Sequence, residues 1–270
     1  MPNWCSNELT ISGEKTNVVR FLEGLKALPA TYPGEKGVVS NKPCYTLNSY
    51  VPVPMEIQSK PYSPNFEKDC TVSPLEQECG YNWQAEHWGT KWDAFYGEYF
   101  ESEMERVWSK IEIIPDGMTS VSVYFETAWS PICPWVINVG RQFPDLSFEL
   151  HYMEEGTGFG GVLLVEGEHV EDRYYDDMRL YQLAENRTDL ADIVEDFYYV
   201  GLEYELEEAE LNEIPDESDE EAYEEWLSNV TELLQEQIQD YFSSAIQANY
   251  VTMEEIAELS LAQIKECLAS

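Results

Sequence analysis

The widest gap in this chain is one of positive charge: no lysine or arginine occurs between Arg187 and Lys265. Asp and Glu fill that interval with 23 carboxylates, and the 270-residue protein carries a formal charge of −38. Charge this one-sided is repelled by nucleic acid and by anionic membranes, so neither is expected as a direct partner. Apolar runs are short, and none reaches the roughly 18 residues needed to cross a bilayer. The opening Met1-Pro2-Asn3-Trp4-Cys5-Ser6-Asn7 lacks the basic start and apolar stretch of a secretory leader, which points to a cytoplasmic setting. The six cysteines include no CxxC pair; only Cys70, Cys79 and His87 resemble a zinc grouping, and their spacings exceed those of short ligand pairs. No metal and no cofactor is expected. Histidine is scarce, at positions 87, 151 and 169, and neither GxSxG nor a papain-like cysteine context occurs. An enzyme is therefore not the expected reading.

What the chain does have is aromatic bulk. Aromatics make up 13% of residues, too many for a disordered acidic tail. Seven of the eight tryptophans precede residue 136, whereas residues 166–270 hold 31 acids against four bases. This asymmetry predicts two parts, residues 1–166 and 167–270.

In the first part, Asn7 to Ser12 reads as a strand ended by Gly13. Val18, Phe21, Leu22 and Leu25 then repeat with helical period from Lys15 to Leu28. Tyr45 to Val51 alternates as a strand. Residues 55–116 read as an insertion draped over a core, broken by Pro61, Pro64 and Pro74 and closed by a helix from Glu98 to Ile111. Thr119 to Thr127 alternates as a strand, Ile132, Val136 and Val139 share a helix face, and strands follow at Phe148–Met153 and Phe159–Val165. Gly156-Thr157-Gly158-Phe159-Gly160-Gly161 satisfies GxGxxG, but a strand follows it instead of a helix, so it reads as a hairpin turn. Two β-α-β halves of this size predict an α+β fold, a ferredoxin-like sandwich with an insertion.

The second part reads as an acidic all-α region. Thr188 is placed to cap a helix through Leu190, Ile193, Val194 and Phe197, and Ser218-Asp219-Glu220-Glu221 reads as the capping box of the longest helix. Tyr223, Leu227, Val230, Leu234 and Tyr241 share one face of that helix. Glu221, Glu225, Glu232, Glu236 and Asp240 lie nearly opposite, within about 100° of arc. Thr252 and Glu255 form a further box.

Three separated blocks resemble bacteriophage and plasmid proteins with a YubB-type ferredoxin-like domain. They are Met1–Asn7 with Leu9–Gly13, then Trp88-Gly89-Thr90-Lys91-Trp92-Asp93, then Phe125-Glu126-Thr127-Ala128-Trp129-Ser130-Pro131. The hairpin region Tyr152–Gly156 with Phe159, Gly160 and Gly161 is similar too. The resemblance spans roughly residues 1–166 and implies a ferredoxin-like fold and a mobile-element origin. That family brings no known activity and no catalytic residues.

At about 1.7 Å of duplex per charge, 23 carboxylates match roughly 40 Å of DNA. The expectation is a non-enzymatic phage or plasmid inhibitor, a DNA mimic directed at a basic host protein such as a nuclease or defence effector. Glu221, Glu225, Glu232, Glu236 and Asp240 would meet the partner, with Tyr223 and Trp226 as aromatic anchors alongside Tyr198 and Tyr199; Trp226, on the flank of the apolar face, fits the core equally. Two alternatives stand beside it. One is a phage accessory or assembly protein with an acidic interaction domain. The other is a hydrolase holding a metal on carboxylates such as Glu171, Asp172, Asp176 and Asp177. His87 is the best single histidine for chemistry, set against a packed histidine among tryptophans. Trp83, Trp88, Trp92, Trp129 and Trp135 fit a core or a protein-binding patch better than a nucleic-acid platform, which needs a positive groove.

Overall fold

The computed structural model describes residues 3–33, 42–63, 78–95, 97–216 and 218–269. They form two compact units, Met1–Tyr174 and Tyr175–Ser270. The division falls eight residues beyond the expected 166/167, because a strand after the Phe159–Glu166 hairpin arm, His169–Tyr175, extends the first unit's sheet.

The first unit is built on a five-stranded sheet. Its strands are β1 (Trp4–Glu14), β4 (Met118–Ala128), β5 (Leu146–Glu154), β6 (Phe159–Glu166) and β7 (His169–Tyr175), in the order β4-β1-β5-β6-β7. β1 pairs antiparallel with both β4 and β5, so β4 and β5 run parallel with β1 between them. Helix α5 (Cys133–Gln142) makes that crossover, a split β-α-β unit. Alternation decides the buried face: Leu9 lies opposite Val123 and Leu150, and Ile11 opposite Val121 and Phe148, all buried. Helix α1 (Lys15–Gly24) lays Val18, Phe21 and Leu22 on this face, and α5 adds Trp135, Val136 and Val139.

Among the described residues, only one of the two expected β-α-β halves is present. The segment expected as a strand from Tyr45 to Val51 forms two residues of β3 (Cys44–Tyr45), paired with β2 (Lys26–Ala27), and then a 3-10 turn at Leu47–Ser49. Its backbone is claimed by distant side chains. Trp135 Nε1 donates to the Leu47 carbonyl and Trp88 Nε1 to the Val51 carbonyl, each at 2.8 Å. Asp93 accepts from the Leu47 N–H at 3.0 Å and from the Thr46 hydroxyl. Burying two indoles is worth roughly 5 kcal/mol each, far more than the few ladder bonds a strand would add.

The stretch 55–116 is likewise more than a drape. It holds α2 (Met55–Gln58), α3 (Gly80–His87) and α4 (Gly97–Ile113), and Trp88, Phe95, Phe100, Met104, Val107 and Ile111 belong to the same core as the sheet. Cys70, Pro64 and Pro74 lie outside the described residues.

The second unit is helical: α6 (Met178–Ala184), α7 (Leu190–Phe197), α8 (Glu203–Glu208), α9 (Glu220–Tyr241), α10 (Ser243–Gln247) and α11 (Met253–Ala269). A π-helical segment, Tyr198–Leu202, joins α7 to α8. Ile193, Val194, Phe197, Val230, Leu234, Ile238, Ile256 and Ile264 make its core. Two expected caps move by one residue. Asp189, not Thr188, caps α7, its carboxylate accepting from Asp192 N–H, and Asp219, not Ser218, caps α9 through Ala222 N–H. At both starts the aspartate adds a negative charge that the helix N-terminus favours and that the neighbouring hydroxyl lacks. The Thr252–Glu255 box forms as expected, with Thr252 N–H donating to Glu255 at 2.9 Å and Glu255 N–H to Thr252 Oγ1 at 3.2 Å.

Candidate functional site

In the helical unit, Glu221, Glu225, Glu232, Glu236 and Asp240 are all exposed along α9, while Trp226, Val230, Leu234 and Ile238 are buried behind them. None of the five carboxylates pairs with a cation among the described residues. The unit's bases are used elsewhere. Arg179 stacks over Tyr241 at 3.9 Å and pairs with Asp177, and Lys265 lies 5.6 Å from the Tyr223 ring. Trp226 does not serve as an outward anchor: it is 4% exposed and donates Nε1–H to the Leu211 carbonyl at 3.1 Å. Tyr223 is half-buried against it, ring centroids 5.9 Å apart, and Tyr198 is buried. The exposed aromatics of this unit are Tyr199, Tyr204 and Tyr250. Tyr204 and Tyr250 escaped the sequence reading because neither falls in a helical apolar stripe.

The carboxylate row runs about 28 Å at 1.5 Å per residue, one charge per roughly 7 Å. A single DNA strand presents one per about 3.4 Å. The α9 row alone is therefore half as dense as a strand; Glu220 and Glu224 flank it and raise the local density of charge.

In the first unit, the blocks that were far apart in sequence come together at one end of the sheet. Gly89 holds φ +87, and a Cβ there would collide with the Pro131 carbonyl, so only glycine fits. Ser130 Oγ donates to the Gly89 carbonyl at 2.6 Å, and Thr90 Oγ1 to that of Ala128 at 3.4 Å. Trp129 N–H donates to the Asn3 carbonyl at 3.0 Å, and Asn7 Nδ2 to Thr127 Oγ1 at 2.9 Å. Glu154 closes the hairpin, accepting from Gly156 N–H at 2.7 Å, Thr157 N–H at 2.8 Å, the Thr157 hydroxyl and Asn3. Burial alone would push this carboxyl up; these donors outweigh it and hold it below the usual carboxylate range.

Tryptophans crown this end. Trp129 adopts φ +75, a left-handed conformation that is strained for a bulky residue and persists only where the surroundings hold it. It is 46% exposed, beside Trp4 at 48% and Trp92 at 38%. The Trp4 and Trp92 rings stand 6.2 Å apart, and Lys91 Nζ lies 4.2 Å from Trp92 and 5.4 Å from Trp129. A cavity of about 230 Å³ opens between Trp4, Trp92, Tyr99, Phe100, Phe125 and Glu126. Asp93 lines its wall, with its carboxylate committed to Thr46, Leu47 and Phe95; burial pushes this carboxyl above its ordinary range against those donors.

His87 stacks on Trp83 with centroids 4.3 Å apart and 5° between planes, and its Nδ1–H donates to the Trp83 carbonyl at 2.9 Å. It is a packed histidine among tryptophans. Gly158, at φ +77, donates N–H to the Glu154 carbonyl, so the glycine string is a hairpin turn. Of the acids considered for metal, Glu171 pairs with Arg173 at 2.8 Å and Asp177 caps α6. Among the described residues, no group of three or more His, Cys, Asp or Glu is placed to hold a metal ion, and no helix is long and apolar enough to cross a membrane.

Residues 95–194 match the model of a family described as "Ferredoxin-like domain in Api92-like protein". That stretch takes in the split β-α-β unit and the hairpin, so its ferredoxin-like character agrees with the topology. The match begins well inside the region of resemblance read from sequence, 1–166, and runs past its end. No curated protein and no solved structure matches the chain.

Proposed function

We propose that this protein is a non-enzymatic inhibitor which occupies a basic, DNA-binding surface of a host bacterial protein through its helical unit. The observation that carries the reading is the row Glu221, Glu225, Glu232, Glu236 and Asp240, exposed, unpaired among the described residues, and set on a helix whose other face is locked into a core. A rigid carboxylate row steers association with an Arg- and Lys-lined site and gives it steep salt dependence. Exposed ion pairs are individually weak, so anchors are needed. Tyr199, exposed within the π-helical segment, keeps its expected part as an anchor, and Tyr204, exposed on α8, joins it in place of Trp226 and Tyr223. The phage or plasmid setting, and with it an anti-defence role, rests on the resemblance of the sequence blocks in residues 1–166.

The test is displacement. A partner captured from a bacterial lysate at low salt is released by duplex DNA, and Glu225, Glu232 and Glu236 changed together to Gln slow its association without altering the fold. Unchanged association in a folded triple variant removes α9 from the mechanism. An accessory role in assembly would instead yield a partner that DNA does not displace.

A further inference from the structure

The geometry points to a second binding site, on the first unit: the cavity between Trp4, Trp92, Tyr99 and Glu126 receives the guanidinium of an arginine side chain from a protein partner. Its walls are ring faces and edges. Trp4, Trp92 and Tyr99 are 48%, 38% and 68% exposed, and Phe100 and Phe125 form a dry floor at 1% and 2%. Exposed tryptophans around a cavity of about 230 Å³ form a surface that favours a flat, polarisable ligand.

Charge decides which flat ligand. Glu126 stands exposed at the rim and pairs with no cation among the described residues. The other carboxylate in the lining, Asp93, is already saturated by Thr46, Leu47 and Phe95 and has no free oxygen to offer. Residues 1–165 carry 22 acids against 11 bases, so nucleotides and other anions are repelled from the approach. Aromatic faces attract cations, and the resident Lys91 already lies over Trp92 and Trp129. Guanidinium fits better than ammonium: it is planar, weakly hydrated, stacks on indole and forks onto a carboxylate. Lys91 does not line the cavity, but its charge opposes a second cation, so its removal should strengthen binding.

The site uses Trp4, Trp92, Tyr99 and Glu126, all of the first unit, none of which the acidic helices require. It stands or falls separately from the proposed inhibition. Nα-acetyl-arginine amide, titrated into the full chain labelled at its indole nitrogens, is the probe. Saturable shifts at the Trp4 and Trp92 indole N–H are expected, with Trp88 and Trp135 silent as buried reporters of an intact fold. Nα-acetyl-lysine amide should bind several-fold more weakly. Glu126→Gln should weaken the arginine probe about fivefold, Trp4→Ala should abolish its effect, and Lys91→Gln should tighten it. Shifts that never saturate, an equal response to the lysine probe, or binding untouched by Glu126→Gln and Trp4→Ala would overturn the assignment.

Discussion

Glu103 and Arg106, one turn apart on α4, satisfy adjacent backbone groups on the free edge of β4. Glu103 Oε1 accepts the Tyr124 N–H at 2.9 Å, and Arg106 donates to the Ser122 carbonyl at 2.8 Å. The two side chains also pair with each other at 2.7 Å. An exposed edge is a template for pairing with another chain, and here a helix covers it with a matched donor and acceptor.

Glu103→Ala should therefore cost about 1–2 kcal/mol and expose the edge to self-association, read by denaturant melts and light scattering. Its pH dependence has a definite sign. The Arg106 guanidinium holds the Glu103 carboxyl below its ordinary range. The folded pKa is depressed, so this stabilisation is present above the unfolded value and lost as pH falls through the folded one. Wild type should lose more of its stability than Glu103→Gln as the solution is taken into that acidic window.

Asp93 has the opposite sign. Burial raises its carboxyl above the ordinary range, so the folded state holds the neutral form more readily than the unfolded chain does. The contribution is full below the unfolded pKa and lost as pH rises through the folded one. Wild type should gain on Asp93→Asn as pH is lowered from neutrality; a constant difference between the two melts would remove Asp93 from this role.

Trp226 and Tyr199 separate packing from recognition. Trp226→Ala should destabilise the helical unit by about 3–5 kcal/mol, since it opens a cavity and leaves the Leu211 carbonyl without its donor. Tyr199→Ala and Tyr204→Ala should leave the circular-dichroism melt unchanged and lower affinity for a captured partner.

Salt gives a test of the charge itself. Among the acids of α9 no base intervenes, so raising sodium chloride from about 20 to 500 mM should screen their repulsion. About 1 kcal/mol of relief corresponds to a midpoint rise of roughly 4–8 °C for a unit of this size. A flat or falling midpoint would show the carboxylates already neutralised by bound cations.

Periodicity made most elements legible. β1, α1, β4, α5 and β5 follow from alternation or a 3.6-residue repeat, and the α9 acids lie on the face that their spacing dictates. What stayed hidden was decided over distance. Nothing near Leu47 announces that the indole of Trp135, 88 residues on, will take its carbonyl and keep Tyr45–Val51 out of the main sheet. Trp226 lies on the flank of the apolar stripe, a position that suits core and surface alike, and its burial and bond to the Leu211 carbonyl place it inside. The tryptophan blocks were visible as separate strings, whereas their meeting at Gly89, Pro131 and Asn3 was not.

Asn3 bears on how partners should be sought. Its carbonyl holds Trp129 and its side chain reaches Glu154, so Asn3 is tied into the tryptophan end of the sheet beside Trp4. An affinity handle attached at Asn3 would shadow the tryptophan cavity, whereas one attached on the exposed face of α9 would shadow the carboxylate row instead. Comparing the two catches assigns each captured protein to one surface or the other.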